Sequence, residues 1–146
     1  MSSPFRTLGR GAFLAFLILP AAGIAVSHAA STYRLGSSAE IPAAQGKARL
    51  QDTKNGNVEI KLSVKHLAPP GRITPGAEVF VVWVRGLALG AQAQNLGALV
   101  VDKNLEGKLK AVTAMPSFDL FITCEQTQTV TVPAALELLP LHYPSR

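Results

Sequence analysis

Val58-Glu59-Ile60-Lys61-Leu62-Ser63-Val64-Lys65 decides the fold. Val58, Ile60, Leu62 and Val64 alternate strictly with Glu59, Lys61, Ser63 and Lys65. Successive side chains of a strand point to opposite faces, so this octet has one dry face and one wet face, as in an antiparallel sheet covered on one side. A helix would need its apolar residues three or four positions apart. Immediately upstream stands Lys54-Asn55-Gly56-Asn57. Asn-Gly accepts the positive φ angles of a tight hairpin, so residues 48–52 are the expected partner strand.

Working outward, Leu67-Ala68-Pro69-Pro70-Gly71 stops the strand, because proline offers no backbone donor and glycine frees the turn. Thr74-Pro75-Gly76 is a second turn, and Glu78 then opens a run with six consecutive apolar residues, Val79 to Val84. Such a run buries both faces and predicts a central strand over 78–85. Residues 86–94 read as loop, 98–101 as strand, 102–107 as a connection and 108–113 as its hairpin partner. After the break at Met115-Pro116-Ser117, a strand is expected over 118–125. Two shorter ones, 129–132 and 136–139, end at Pro133 and Pro140. The best helical stretch, 134–139, is confined by those prolines to about one turn. Seven to eight short strands at turn spacing predict an all-β antiparallel two-sheet sandwich of immunoglobulin-like or fibronectin-like type over residues 46–140. Residues 30–45 lack periodicity and read as a flexible tether with some order near Ile41, and 141–146 as a tail.

The first residues are expected to stay outside this fold. Arg6 and Arg10 lead into an apolar run over 11–26, followed by Ser27-His28-Ala29-Ala30. That order predicts a secretory signal peptide over 1–29, cleaved after Ala29, with Ala30 the second choice. The competing reading is a retained anchor, but the run has 16 residues and contains Pro20, against the ~20 that a spanning helix needs. No cysteine follows for lipidation and no Arg-Arg pair precedes, so general export to the periplasm or medium is expected. Membrane contact is then transient, through the leader alone.

Composition narrows the function. The chain has 146 residues, 48% hydrophobic and 16% charged, with a single cysteine. It is too apolar for disorder, and one cysteine supports neither an internal disulfide nor a Cys-rich zinc site. Beyond residue 29 there are 12 Lys+Arg and 9 Asp+Glu. The lysines stand singly along the chain, without interleaved aromatics, and read as ordinary surface charge, so no nucleic-acid partner is expected. Cys124 continues the series Phe118, Leu120, Ile122 and so falls on a buried strand face as a small hydrophobe. His66 ends the first strand and His142 lies in the tail. Together with Cys124 and Met115 they formally fill a blue-copper inventory, but Cys124 and His142 are 18 residues apart, where such sites use one short loop. Trp83 reads as a core aromatic, with a sugar-stacking platform as its alternative. The run Gln126-Thr127-Gln128-Thr129 reads as a polar edge strand. Asp52, Glu59, Glu78, Asp102, Glu106, Asp119 and Glu125 read as turn or wet-face carboxylates. No nucleophile elbow, zinc-protease motif or phosphate-binding loop occurs, so no catalytic residue, metal or cofactor is assigned.

Three segments in order, Leu67-Ala68-Pro69-Pro70, Val79-Phe80-Val81-Val82-Trp83-Val84 and Asn95-Leu96-Gly97-Ala98-Leu99, resemble the extracytoplasmic β-sandwich of anti-sigma-K-type factors. Val81–Val84 and Val101-Asp102-Lys103-Asn104 also look like segments of small exported bacterial proteins of unassigned function. The resemblance covers residues 58–125 and implies a sandwich. Only ten residues precede the apolar leader, where such factors carry a cytoplasmic sigma-binding helical domain, so sigma-factor inhibition is not expected. The expected role is a non-catalytic interaction or sensory-type module at the bacterial cell envelope, its partner an envelope protein or surface ligand. The alternative is a small carbohydrate-binding or hydrolytic sandwich, which would need an exposed Trp83 or two converging carboxylates.

Overall fold

The computed structural model describes residues 29–144, so the expected signal peptide, apart from Ala29, lies outside the described residues. Two antiparallel sheets pack face to face. The hairpin read from Asn55-Gly56 joins β2 (Gln45–Asp52) to β3 (Val58–Lys65), with Asp52 opposite Val58. Gly56 has φ 78° and donates its N–H to the Thr53 carbonyl at 3.0 Å, which closes the turn. Beyond β3 lie β7 (Gly107–Thr113) and the two-residue β6 (Val100–Val101); on the other side of β2 lies β1 (Ser31–Arg34). This five-stranded sheet runs β1-β2-β3-β7-β6. The four-stranded sheet runs β5-β4-β8-β9, from β5 (Ala93–Ala98), β4 (Val79–Gly86), β8 (Phe118–Glu125) and β9 (Leu138–Tyr143). The short α1 (Pro70–Ile73) sits where the two prolines end β3.

The alternation quoted first builds the core. Ile60, Leu62 and Val64 of β3, with Ala48 and Leu50 of β2, face Phe80, Val82 and Val84 of β4. Phe118, Leu120, Ile122 and Cys124 of β8 fill the same layer. All are buried, and at roughly 25 cal/mol per Å² of apolar surface this layer is the main source of stability.

Four expectations are corrected. Residues 30–45 are not a loose tether. Tyr33 packs edge-on against Tyr143 with ring centroids 5.6 Å apart, and Ile41 is buried. The Ser38 hydroxyl accepts the Leu139 N–H at 2.7 Å, so this segment fastens both sheets. Residues 141–143 are not a tail, because Leu141 and Tyr143 alternate inward about His142 and extend β9. Pro140 is tolerated there because β9 is an edge strand. Residues 129–132 form no strand. Finally, the strand expected over 98–101 is divided between the sheets: β5 starts within the stretch read as loop, and the chain changes layers at buried Leu99. Gly97, at φ 120°, and the bulged Leu96, left over between the Val82–Gly97 and Trp83–Asn95 pairs, bend β5 ahead of this crossing.

Candidate functional site

The wet face of the five-stranded sheet gathers cations that stand far apart in sequence. β2 contributes Lys47 and Arg49, β3 Lys61 and Lys65, β7 Lys108 and Lys110, and β1 Arg34, all exposed. Glu59 is the sole acid at an outward position of these strands. Seven of the 11 Lys+Arg among the described residues thus share one face with Glu59, and Glu106 reaches its edge to meet Lys65 at 3.6 Å. The scattered surface charge expected from the sequence is a concentrated cationic face.

Register sharpens this arrangement. Arg34 stands opposite Lys47, Arg49 opposite Lys61, and Lys61 opposite Lys110. Like charges directly opposite one another destabilise a sheet, so this pattern opposes folding. Glu59 relieves part of it, with Lys61 at 3.1 Å and Lys110 at 3.4 Å. The hydrogen bond from Lys61, aided by the nearby charges, holds the Glu59 carboxyl below the usual carboxylate range. Among the described residues Arg34, Lys47, Arg49 and Lys108 make no ion pair. A shallow depression of about 410 Å³ lies at the β3–β7–β6 end of this face, lined by Lys61, Ser63, Lys108, Lys110 and Val100.

The outer face of the other sheet is apolar and covered. Val81, Trp83 and Phe121 form a second cluster there, with Val130 of the 126–137 segment packed against it. Trp83 is 0% exposed, so the expected burial is correct, but it lies beneath this strap and not between the sheets. The Trp83 indole N–H donates to the Thr123 hydroxyl at 2.8 Å, which donates to Glu125 Oε1 at 2.6 Å. The same oxygen accepts the Ala134 N–H at 2.8 Å, and Asn95 Nδ2 donates to the carbonyls of Gln128 and Val130. Gln126-Thr127-Gln128-Thr129, expected as an edge strand, belongs to this strap. An enclosed Trp83 offers no stacking platform for a sugar.

Arg85 pins the far end of the strap through two bonds to Glu137, at 2.7 and 3.2 Å, and lies 4.7 Å over the Phe121 ring. His142 Nδ1 is 2.7 Å from Asp119 Oδ1. Arg85, Glu137, Asp119 and His142 line one cleft of about 360 Å³. Its two carboxylates each already hold a cationic or imidazole partner.

Cys124 is buried as expected. Burial pushes its thiol pKa up, the Glu125 charge adds to this, and a hydrogen bond with Thr74 acts in the other direction. A thiol-specific chromophoric reagent at pH 8 should therefore label the native protein at under about a tenth of the rate seen in denaturant; equal rates would contradict the packing. His66 is exposed with φ 58° where β3 ends, and Met115 packs at the core margin. Among the described residues no group of three or more His, Cys, Asp or Glu side chains is placed to hold a metal ion. No described helix is long and apolar enough to cross a membrane. No family model, curated protein or solved structure matches the chain.

Proposed function

We propose that the chain is an exported, non-catalytic interaction module of the bacterial cell envelope that docks on an anionic surface ligand through the outer face of its five-stranded sheet. One observation carries this reading: seven cations occupy that face against Glu59 within it and Glu106 at its edge, in a register that costs the sheet stability. A field of one sign on an open face attracts and orients an oppositely charged partner. The charged apolar leader and the small residues before Ala30 support export.

Expression in a bacterial host tests both parts. The protein should be recovered outside the cytoplasm with a mass lacking residues 1–29. It should sediment with isolated envelopes at 50 mM salt and leave them by roughly 500 mM, as screening shortens the range of the field. The Lys61→Glu/Lys110→Glu variant should remain in the supernatant. A cytoplasmic product with its leader intact would contradict export; sedimentation unchanged by charge reversal would contradict docking.

A further inference from the structure

We infer that the ligand of the cationic face is a linear, phosphate-bearing polyanion lying across the strands, with one phosphate seated over Ser63. This rests on the docking reading above and names its ligand. Ser63 stands directly between Lys47 and Lys108 in the register, one residue on each flanking strand. Adjacent strands lie about 4.8 Å apart, so the two lysine backbones flank the hydroxyl at roughly equal distance. Neither ammonium has an ion-pair partner among the described residues. An anion above Ser63 meets a hydroxyl donor from below and an ammonium from each side. The parallel row Arg49, Lys61, Lys110 lies about 7 Å away along the strands and also runs across the sheet. Two parallel rows crossing three strands make a track for a chain of repeated charges.

Lysine predominates on this track and binds phosphate as a point charge. The donors around Ser63 arrive from three directions, which a tetrahedral phosphate meets with oxygens out of one plane and a planar carboxylate does not. The face carries no aromatic residue at an outward position, so it lacks the platform on which nucleic-acid bases stack. A bilayer fits less well. The exposed aliphatics of the face, Val100 and Val112, have short side chains beside the longer stems of Lys108 and Lys110, and would not reach past them into lipid.

The protein recovered from export, its N-terminus defined by mass, would be titrated with long-chain inorganic polyphosphate, with polyglutamate of matched charge, and with phosphatidylglycerol vesicles. Polyphosphate affinity should fall roughly fifty-fold between 50 and 200 mM salt, the dependence expected for about four phosphate contacts. Polyglutamate should bind at least about tenfold more weakly. Ser63→Ala should weaken polyphosphate binding about three- to tenfold and leave polyglutamate binding unchanged. At 50 mM salt the vesicles should bind the wild-type protein at least about tenfold more weakly than polyphosphate does, through the field of the face alone. Lys61→Glu/Lys110→Glu should abolish that residual capture. Equal binding of the two polymers, no effect of Ser63→Ala, or vesicle capture matching the polymer would overturn the inference. Loss of polyphosphate binding with face-dependent envelope sedimentation intact would overturn this ligand alone. Sedimentation that survives charge reversal would overturn the docking reading beneath it.

Discussion

Trp83→Ala is expected to lower the stability of the fold by about 4 kcal/mol, in the range for deleting a large buried aromatic. The indole is fully enclosed among Val81, Phe121 and the strap residue Val130, so its removal leaves a cavity under a segment held by few other apolar contacts. Its N–H also begins the relay through Thr123 to Glu125 and the Ala134 backbone, which would lose its first donor. Two milder variants separate packing from polarity. Trp83→Phe keeps much of the apolar area and should cost about half as much. Thr123→Val keeps the shape but leaves the indole N–H buried without an acceptor, a cost of about 2 kcal/mol. Urea unfolding followed by far-UV circular dichroism measures all three. A loss below about 1 kcal/mol for Trp83→Ala would mean that the strap does not seal this face.

The sequence carries one layer of this structure openly. Strict alternation in β3, the Asn55-Gly56 turn and the spacing of Phe118, Leu120, Ile122 and Cys124 each encode which side chains face inward, because strand geometry alone fixes that choice. The six-residue apolar run at Val79 announces that both faces of β4 are covered. It does not say by what, and the cover for Trp83 is an irregular strap whose polar residues read as an edge strand. Tyr33 and the β9 residues Leu141 and Tyr143 are too few to show periodicity, and their burial depends on pairing with distant strands. The cationic face was encoded as well: Lys47 and Arg49, Lys61 and Lys65, Lys108 and Lys110 all fall on wet positions of alternating segments. Read along the chain they are single charges. They become a surface only once β2, β3 and β7 are neighbours, and the β3–β7 pairing joins segments more than forty residues apart.

The same long-range pairing gives the second large effect. Lys47→Thr/Arg49→Thr/Lys108→Thr removes three cations that hold no ion pair among the described residues, and replaces them with a residue favoured in strands. The repulsions of Arg34 with Lys47 and Arg49 with Lys61 disappear. Each is worth about 0.2–1 kcal/mol, so the variant should gain about 1 kcal/mol at low ionic strength. That gain should shrink as salt screens the wild-type repulsion. Binding should move the other way. Three lost contacts of about 1 kcal/mol each weaken association with the envelope fraction roughly a hundredfold. A face whose charges served the fold would lose stability when they were removed; one kept for a ligand would lose only the ligand. Measuring unfolding free energy and envelope affinity on this one triple variant at 50 mM salt therefore tests the central claim most directly. A more stable protein that no longer binds is the predicted result, and a less stable protein that binds as before would contradict it.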